Sequence, residues 1–167
     1  MDVEFEQFYA SCAARTLRGL TLTVGNAEVA SDAFQEAMAR AWLRWDRLQG
    51  YGNPAGWVYV VALNEARSAL RRGRRQVPVA ASGGEAHAPW QDDRRDEGAV
   101  RFRELLASLS WDHRAVLVLR FYFGYTAPEV TAILGIPEGT VRSRQHWALR
   151  HLRASLEGDD GYRAMDH

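Results

Sequence analysis

Arginine, serine, histidine and tryptophan recur on one side of a predicted helix near the end of the chain. Val141 marks the buried side of this helix, because Ala148 and Leu152 follow it at helical spacing. The opposite half carries Arg142, Ser143, His146, Trp147, Arg150 and Arg153. Residues 140–155 contain four arginines and no carboxylate. This surface therefore suits phosphates and guanine edges, and a solvated arginine face is the alternative.

A second basic strip lies on a helix predicted from residue 54 or 55 to about residue 75. Asn64, Arg67, Arg71 and Arg74 line this strip near Trp57. An aromatic ring and an amide beside guanidinium groups can stack on unpaired bases and hydrogen-bond to them. A place for Trp57 in the core is the alternative.

The helix predicted over about residues 27–48 has two distinct sides. One side is apolar and consists of Ala30, Phe34, Ala37, Met38, Ala41, Trp45 and Leu48. The other side is acidic and consists of Glu28, Asp32, Gln35, Glu36 and Ala39. From the charge pattern alone, an ordinary solvated face is the favoured interpretation of this acidic side.

A helix-turn-helix positions the first of these surfaces. Thr126 and Glu129 have the spacing of a capping box, and apolar residues follow at helical spacing. Gly135 ends this first helix, Pro137 turns the chain, and Glu138 suits the positive first turn of the next helix. The pattern predicts two helices in the order of a DNA-binding motif.

The other segments complete an all-α prediction of two small helical domains joined by an acidic flexible linker. Residues 3–24 form a helix that Gly25 and Asn26 end, and residues 49–56 form a glycine-rich loop. Residues 77–100 have linker composition and contain Glu85, Asp92, Asp93, Asp96 and Glu97. Apolar periodicity resumes at Phe102, and residues 159–167 form a frayed tail.

Composition narrows the class of protein. The 167 residues include one cysteine, Cys12, which excludes an internal disulfide and a multi-cysteine zinc site. No stretch approaches the roughly 20 apolar residues of a membrane span, so we expect a cytoplasmic protein without membrane insertion. The formal net charge is zero, but the charges are segregated into basic and acidic surfaces. No residue pattern indicates a catalytic site, a metal site or a cofactor.

Three segments in order resemble a bacterial RNA polymerase sigma factor of the extracytoplasmic-function (ECF) group. They are SDAFQEAMARAW at 31–42, WVYVVALNEARSALRR at 57–72 and HRAVLVLRFYFGYTAPEVTAILGIPEGTVRSR at 113–144. The resemblance implies that residues 1–76 correspond to sigma region 2, residues 77–100 to the linker and residues 101–158 to sigma region 4 with its helix-turn-helix.

The resemblance also implies ligands for the exposed faces. Asp32, Gln35 and Glu36 would bind the clamp helices of the largest polymerase subunit. Trp57, Asn64, Arg67 and Arg71 would melt and read the minus-ten promoter element. The minus-thirty-five element would be read by Arg142, Ser143, Arg144, His146, Trp147 and Arg150. The family further implies a stress-responsive role, a contact with the polymerase flap and an anti-sigma partner.

The chain departs from the family pattern at three positions. Ser110 stands where the family commonly has proline, and Gln145 and Trp147 replace a usual apolar residue and a usual arginine. Trp147 therefore has two candidate contacts, the DNA backbone and the polymerase flap.

Two other functions fit part of the sequence. A helix-turn-helix activator that does not replace the housekeeping sigma factor would use the second domain, but it has no need of Asp32, Gln35 and Glu36 beside a melting loop. An interaction adaptor without DNA binding would not need Arg142 and Arg144.

Overall fold

The computed structural model describes residues 3–76 and 97–163, and the regular elements within these ranges are all helical. They belong to two compact units, of which the first contains residues 3–76 and the second contains residues 97–163. Most of the predicted linker, residues 77–96, lies outside the described residues, as do residues 164–167 of the predicted tail. Among the described residues, no helix is long and apolar enough to cross a membrane.

The first unit begins with two helices whose junction was predicted correctly. Helix α1 spans Val3–Val24 and helix α2 spans Ala27–Leu43. Gly25 adopts a φ of 76°, a conformation that favours glycine. Asn26 caps α2, because its side chain accepts a hydrogen bond from the backbone N–H of Val29 at 3.0 Å.

The single helix predicted over residues 27–48 is wrong in one detail, because the chain breaks at Arg44. Helix α2 ends at Leu43, and a one-turn helix, α3, spans Trp45–Leu48. Trp45 and Leu48 are buried, and the Trp45 ring stacks on Phe8 of α1 with 4.9 Å between ring centroids. The apolar spacing continues across the break, so periodicity alone could not reveal it.

Helix α4 spans Pro54–Gln76 and completes the first unit. The Asn53 side chain accepts a hydrogen bond from the N–H of Gly56 at 2.8 Å, and proline occupies the first helical position. Helix α2 packs on α4, and α1 packs on both. Fully buried alanines on α2 and α4 allow close packing of these helices: Ala30, Ala37, Ala41, Ala62 and Ala66.

Three polar side chains of the first unit are buried or half-buried, those of Thr23, Tyr59 and Cys12. The hydroxyls of Thr23 and Tyr59 share a hydrogen bond of 2.6 Å inside the core. Cys12 is half-buried on α1, and burial raises the pKa of its thiol to about 11. The thiol is therefore protonated at neutral pH.

The second unit begins with helix α5, Glu97–Ala107, and helix α6, Trp111–Leu117. Helix α5 starts inside the range predicted as linker, because Val100 in its first turn is exposed and adds no position to an apolar periodic pattern. Ser110 caps α6 by accepting a hydrogen bond from the N–H of His113. Serine is a favourable N-cap residue, which explains how it replaces the usual proline.

A π-helical turn follows α6 directly and was not predicted. It spans Val118–Tyr122 and is closed by a hydrogen bond of 3.0 Å from the N–H of Phe123 to the carbonyl of Val118. Gly124 then adopts a φ of 75°, and the chain turns toward the helix-turn-helix. Val118 and Leu119 are buried, whereas Phe121 of the same turn is 60% exposed.

The predicted helix-turn-helix is confirmed as structure. Helix α7 spans Ala127–Leu134, its capping box pairs Thr126 with Glu129, and Gly135 is left-handed with a φ of 66°. The hydrogen bond from the Thr126 N–H lowers the pKa of the Glu129 carboxyl below its ordinary value. Helix α8 spans Glu138–Arg163 and extends into the segment predicted as a tail. Helices α6 and α7 both pack against α8.

Candidate nucleic-acid and protein interfaces

The exposed face of α8 contains most of the residues predicted for it. Val141 and Ala148 are fully buried against the rest of the unit. The exposed residues are Arg142, Ser143, His146, Trp147, Arg150 and Arg153. The helix is therefore oriented with its arginine-rich side outward, where phosphates and base edges can reach it.

The N-terminal end of this face is less purely basic than the sequence suggested. Glu138 lies one turn before Arg142, and its Oε1 atom is 2.5 Å from Nη2 of the Arg142 guanidinium. This spacing of four residues brings opposite charges together on a helix surface. Arg142 must therefore leave or share this carboxylate when it binds another acceptor.

Arg144 has a different environment from Arg142. Its side chain is 28% exposed, and its guanidinium is 3.6 Å from the carboxylate of Asp112 at the start of α6. The contact directs Arg144 toward α6 rather than toward the middle of the exposed face. The structure therefore separates two arginines that the sequence grouped together.

Trp147 packs beside two histidines on the same flank of α8. Its ring centroid is 4.3 Å from that of His113 on α6 and 5.1 Å from that of His151, one turn further along α8. The His151 ring is nearly parallel to the indole, with 8° between the planes. Trp147 remains 49% exposed, so it belongs to the surface and not to the core.

Arg120 and Gln145 form a contact that the sequence pattern did not predict. Arg120 lies in the π-helical turn and donates hydrogen bonds to the Gln145 side chain at 2.9 Å and to the Tyr125 carbonyl at 2.6 Å. Gln145 thus ties α8 to the segment that precedes α7, which an apolar residue there could not do. Arg120 gave no sequence signal because it falls within an apolar run.

Arg120 and Gln145 also line a cavity on the α7 side of α8. Its volume is about 250 Å³, and its lining residues are Arg120, Ala127, Arg142, Gln145, His146 and Leu149. The cavity places the guanidinium of Arg120 in the same lining as Arg142 and His146 of the exposed face.

The basic strip on α4 lies on the side of the helix away from the core. Val58, Tyr59 and Ala62 are buried, whereas Asn64 and Arg71 are exposed. Trp57 and Arg67 have intermediate exposure. Because residues 57, 64 and 71 recur every two turns, their side chains share this outer side. Trp57 is therefore not a core residue.

The acidic side of α2 is exposed, as predicted. Asp32, Gln35 and Glu36 all lie on the surface. Glu36 is also bound by Arg40, whose Nε atom is 3.0 Å from the Glu36 carboxylate and whose Nη1 atom is 2.8 Å from the Glu65 carboxylate on α4.

Arg40 therefore joins the acidic side of α2 to α4. The hydrogen bond with Glu36 is the largest influence that raises the pKa of the Arg40 guanidinium. The spacing of four residues between Glu36 and Arg40 was the signal that could have identified this pair.

Comparison with known proteins assigns the family. The family model Sigma-70 region 2 matches residues 9–76, and the model Sigma-70, region 4 matches residues 105–154. The ECF RNA polymerase sigma factor SigL of Mycobacterium tuberculosis is 37% identical over 142 residues, which cover 80% of this chain and 77% of that protein. This chain belongs to the ECF sigma factors. Sigma factors direct core RNA polymerase to promoters and initiate transcription, and they are initiation factors rather than catalysts.

Other sigma factors extend the similarity over more of the chain. The ECF RNA polymerase sigma factor EcfG of Rhodopseudomonas palustris is 30% identical over 158 residues, which cover 88% of this chain and 82% of the relative. The sigma factor RpoE of Bartonella quintana, solved in complex with the anti-sigma factor NepR, matches with a TM-score of 0.72 and 24% identity. That match covers 92% of this chain and 97% of the solved one, and it supports the fold.

Proposed function

We propose that this sigma factor binds polymerase and promoter DNA through three surfaces: the acidic side of α2, the outer side of α4 and the exposed face of α8. The observation that carries the proposal is the order of these surfaces within a sigma-factor chain. The acidic side precedes an aromatic and basic strip in the region 2 match, and an outward arginine-rich helix follows in the region 4 match.

The acidic side of α2 is the proposed docking surface for the polymerase clamp helices. Asp32, Gln35 and Glu36 are exposed and offer carboxylate and amide groups to a partner with basic and polar side chains. Arg40 holds Glu36 in place before docking, so the surface has one defined carboxylate position.

The outer side of α4 is the proposed site that captures the melted minus-ten element. Trp57 offers a ring for stacking on an unpaired base, and Asn64 offers an amide for base edges. Arg67 and Arg71 lie further along the helix, where guanidinium groups can bind the phosphates of the same strand.

The exposed face of α8 is the proposed reader of the minus-thirty-five element. Arg142, Ser143 and His146 lie in the first turns of the helix, which reach base edges when such a helix enters the major groove. Arg150 lies two turns after Arg142 and suits the phosphate backbone. We assign Arg144 and Trp147 to the flank of the helix, beside α6.

The three surfaces define a proposed domain organisation. Residues 1–76 form the unit that binds polymerase and the minus-ten element, and residues 101–158 form the unit that binds the minus-thirty-five element. Residues 77–100 link them, and residues 159–167 follow as a tail. We further propose a cytoplasmic, stress-responsive protein that contacts the polymerase flap. We also propose that an anti-sigma factor restrains it, as the Bartonella complex suggests by its composition.

Transcription with core polymerase tests the proposal directly. Core polymerase is incubated with fragmented genomic DNA in the presence and in the absence of the protein. The transcription start sites are then mapped. We expect new start sites that share one sequence near minus ten and one near minus thirty-five. An activator of the helix-turn-helix class would instead yield no transcripts until the housekeeping sigma factor is added.

A further inference from the structure

The stack of His113, Trp147 and His151 has no role in the three surfaces described above. The Trp147 indole lies beside both imidazoles, and its exposed half borders the face of α8 proposed to enter the major groove. Two titratable rings are therefore fixed at the edge of a DNA-facing surface.

Each histidine of the stack is held by a serine hydroxyl. Nδ1 of His113 is 2.5 Å from Oγ of Ser110, and Nε2 of His151 is 3.2 Å from Oγ of Ser108. The Ser108 hydroxyl donates to the Leu105 carbonyl at 2.7 Å and can accept from Nε2 of His151, whereas the Ser110 hydroxyl can donate to Nδ1 of His113 or accept from it. Each contact is therefore compatible with a neutral or a protonated imidazole. These two contacts do not use the second nitrogen of either ring, and that nitrogen can donate to an outside acceptor when the imidazole is protonated.

The charged groups around the stack come from three helices. Asp112 lies on α6, Arg144 lies on α8 and pairs with Asp112, and Arg101 and Glu104 of α5 line a cavity next to Ser108. Burial lowers the pKa of His113 below its ordinary value, and the positive charges of Arg144 and His151 act in the same direction, against the opposing effect of Asp112. The His113 ring therefore binds a proton less readily in the free protein than an ordinary histidine does.

We propose that His113 and His151, held in place by Trp147, form a proton-dependent contact with the DNA backbone beside the minus-thirty-five element. The inference rests on the proposed promoter function. Phosphates border the major groove on both sides of a recognition helix, and the stack lies on the α6 flank of that helix. An imidazolium can donate a charge-assisted hydrogen bond to a phosphate oxygen. The indole also favours the protonated rings through a cation–π interaction.

The direction of the pH effect follows from these charges. A neighbouring phosphate favours the charged form of histidine, so the pKa of each bound imidazole rises when DNA binds. Binding then takes up protons, and the affinity increases as the pH falls. Each imidazolium that neutralises one phosphate steepens the dependence of log affinity on log salt by about 0.9.

The test is promoter binding by holoenzyme that contains the full chain, measured over a series of salt concentrations at about pH 6 and about pH 8. With the wild-type protein, we expect a salt slope steeper by about one to two units at the lower pH. His113→Asn with His151→Asn removes both titrating groups and should give equal slopes at the two pH values. His87→Asn with His167→Asn is the matched control, because these two histidines lie outside the stack and outside α8.

Variants of Trp147 test whether the pH dependence requires the ordered stack or only the presence of the two histidines. Trp147→Phe keeps an aromatic ring and should keep the pH dependence, whereas Trp147→Ala should lose it although both histidines remain. Circular dichroism and unchanged binding to core polymerase verify that each variant is folded.

Three results would overturn the inference: equal wild-type slopes at both pH values, an undiminished pH effect in the double histidine variant, or an effect on core binding instead of DNA binding. Failure of the proposed function is a separate result, namely no promoter-specific transcription with any version of the protein at either pH.

Discussion

Two arginines on the exposed face of α8, Arg142 and Arg150, have different proposed roles in DNA binding. Arg142 lies one turn into α8 and is paired with Glu138, whereas Arg150 lies two turns later. Arg142→Ala should lose about 1 to 3 kcal/mol on the cognate minus-thirty-five element and little on scrambled DNA. Arg150→Ala should weaken binding to all sequences about equally and lower the salt slope by about one unit. Holoenzyme binding to cognate and single-base variant promoters measures both effects.

Because Arg142 is paired with Glu138, the Arg142→Ala variant needs a control for the carboxylate that it leaves unpaired. Arg142→Ala leaves an unpaired carboxylate near the DNA, which would repel every sequence equally. Arg142→Ala combined with Glu138→Gln removes this repulsion and isolates the loss of base recognition. If binding of this double variant to all promoters is still weaker by the same factor, Arg142 is a phosphate contact and specificity must come from Ser143 or His146.

Two single residues on the outer side of α4, Trp57 and Asn64, can be tested in the same way. Trp57→Ala and Asn64→Ala should spare closed-complex formation and reduce open-complex formation, because their proposed ligands exist only after the duplex melts. Templates with a pre-melted minus-ten element should restore transcription. Permanganate footprinting measures the melted region, and a wild-type footprint with both variants would rule out base capture by α4.

Residue contacts were the part of the site least accessible from the sequence. Helical spacing placed Arg142, Ser143, His146 and Arg150 on the exposed side, and the structure agrees. The partners of these faces depend on which helices pack together, so spacing could not locate Arg120 beside Gln145 or His113 beside Trp147.

At the scale of elements, the caps of α7 determine where the helix-turn-helix bends. Gly135 has a φ of 66°, and a β-carbon added at this position would have no neighbouring atom within 4 Å. Gly135→Ala should therefore destabilise the second unit by about 1 to 2 kcal/mol through backbone strain alone. Gly139→Ala, in the first turn of α8, should be neutral or slightly stabilising because alanine favours helices.

Hydrogen exchange distinguishes this local effect from a global one. We expect faster exchange for the amides of α7 and α8 in Gly135→Ala, with unchanged protection in α2 and α4. Equal loss of protection in α2 and α4 would show that the two units do not unfold independently.

Elements with polar caps were predictable, and irregular turns were not. The boundaries of α1, α2 and α7 coincide with Gly25, Asn26, Thr126 and Gly135, whose conformational preferences are local. The break at Arg44 and the π-helical turn at Val118–Tyr122 keep the apolar spacing of a continuous helix. Their positions depend on packing with other helices, which a single-sequence pattern does not contain.

At the scale of the whole molecule, the distribution of charge over the surfaces is more informative than the net charge. The formal net charge is zero, yet α8 is basic on its exposed face and α2 is acidic on its own. Zero net charge provides little long-range attraction to DNA. We therefore expect the free protein to bind duplex DNA weakly and to gain promoter affinity when core polymerase holds both units on one promoter.

Docking is therefore the step on which the whole molecule depends. Gln35→Ala with Glu36→Ala should weaken core binding by on the order of 3 kcal/mol, more than a hundredfold, because two polar contacts are lost at the proposed interface. Pull-down of core polymerase measures this loss, and Glu6→Ala with Gln7→Ala, which removes the same two residue types from the exposed surface of α1, is the control. Promoter-specific transcription should fall in parallel with core binding, since promoter recognition requires both units to be held together. Undiminished core binding would refute the docking surface, whereas lost core binding with intact transcription in the presence of the housekeeping sigma factor would identify an activator.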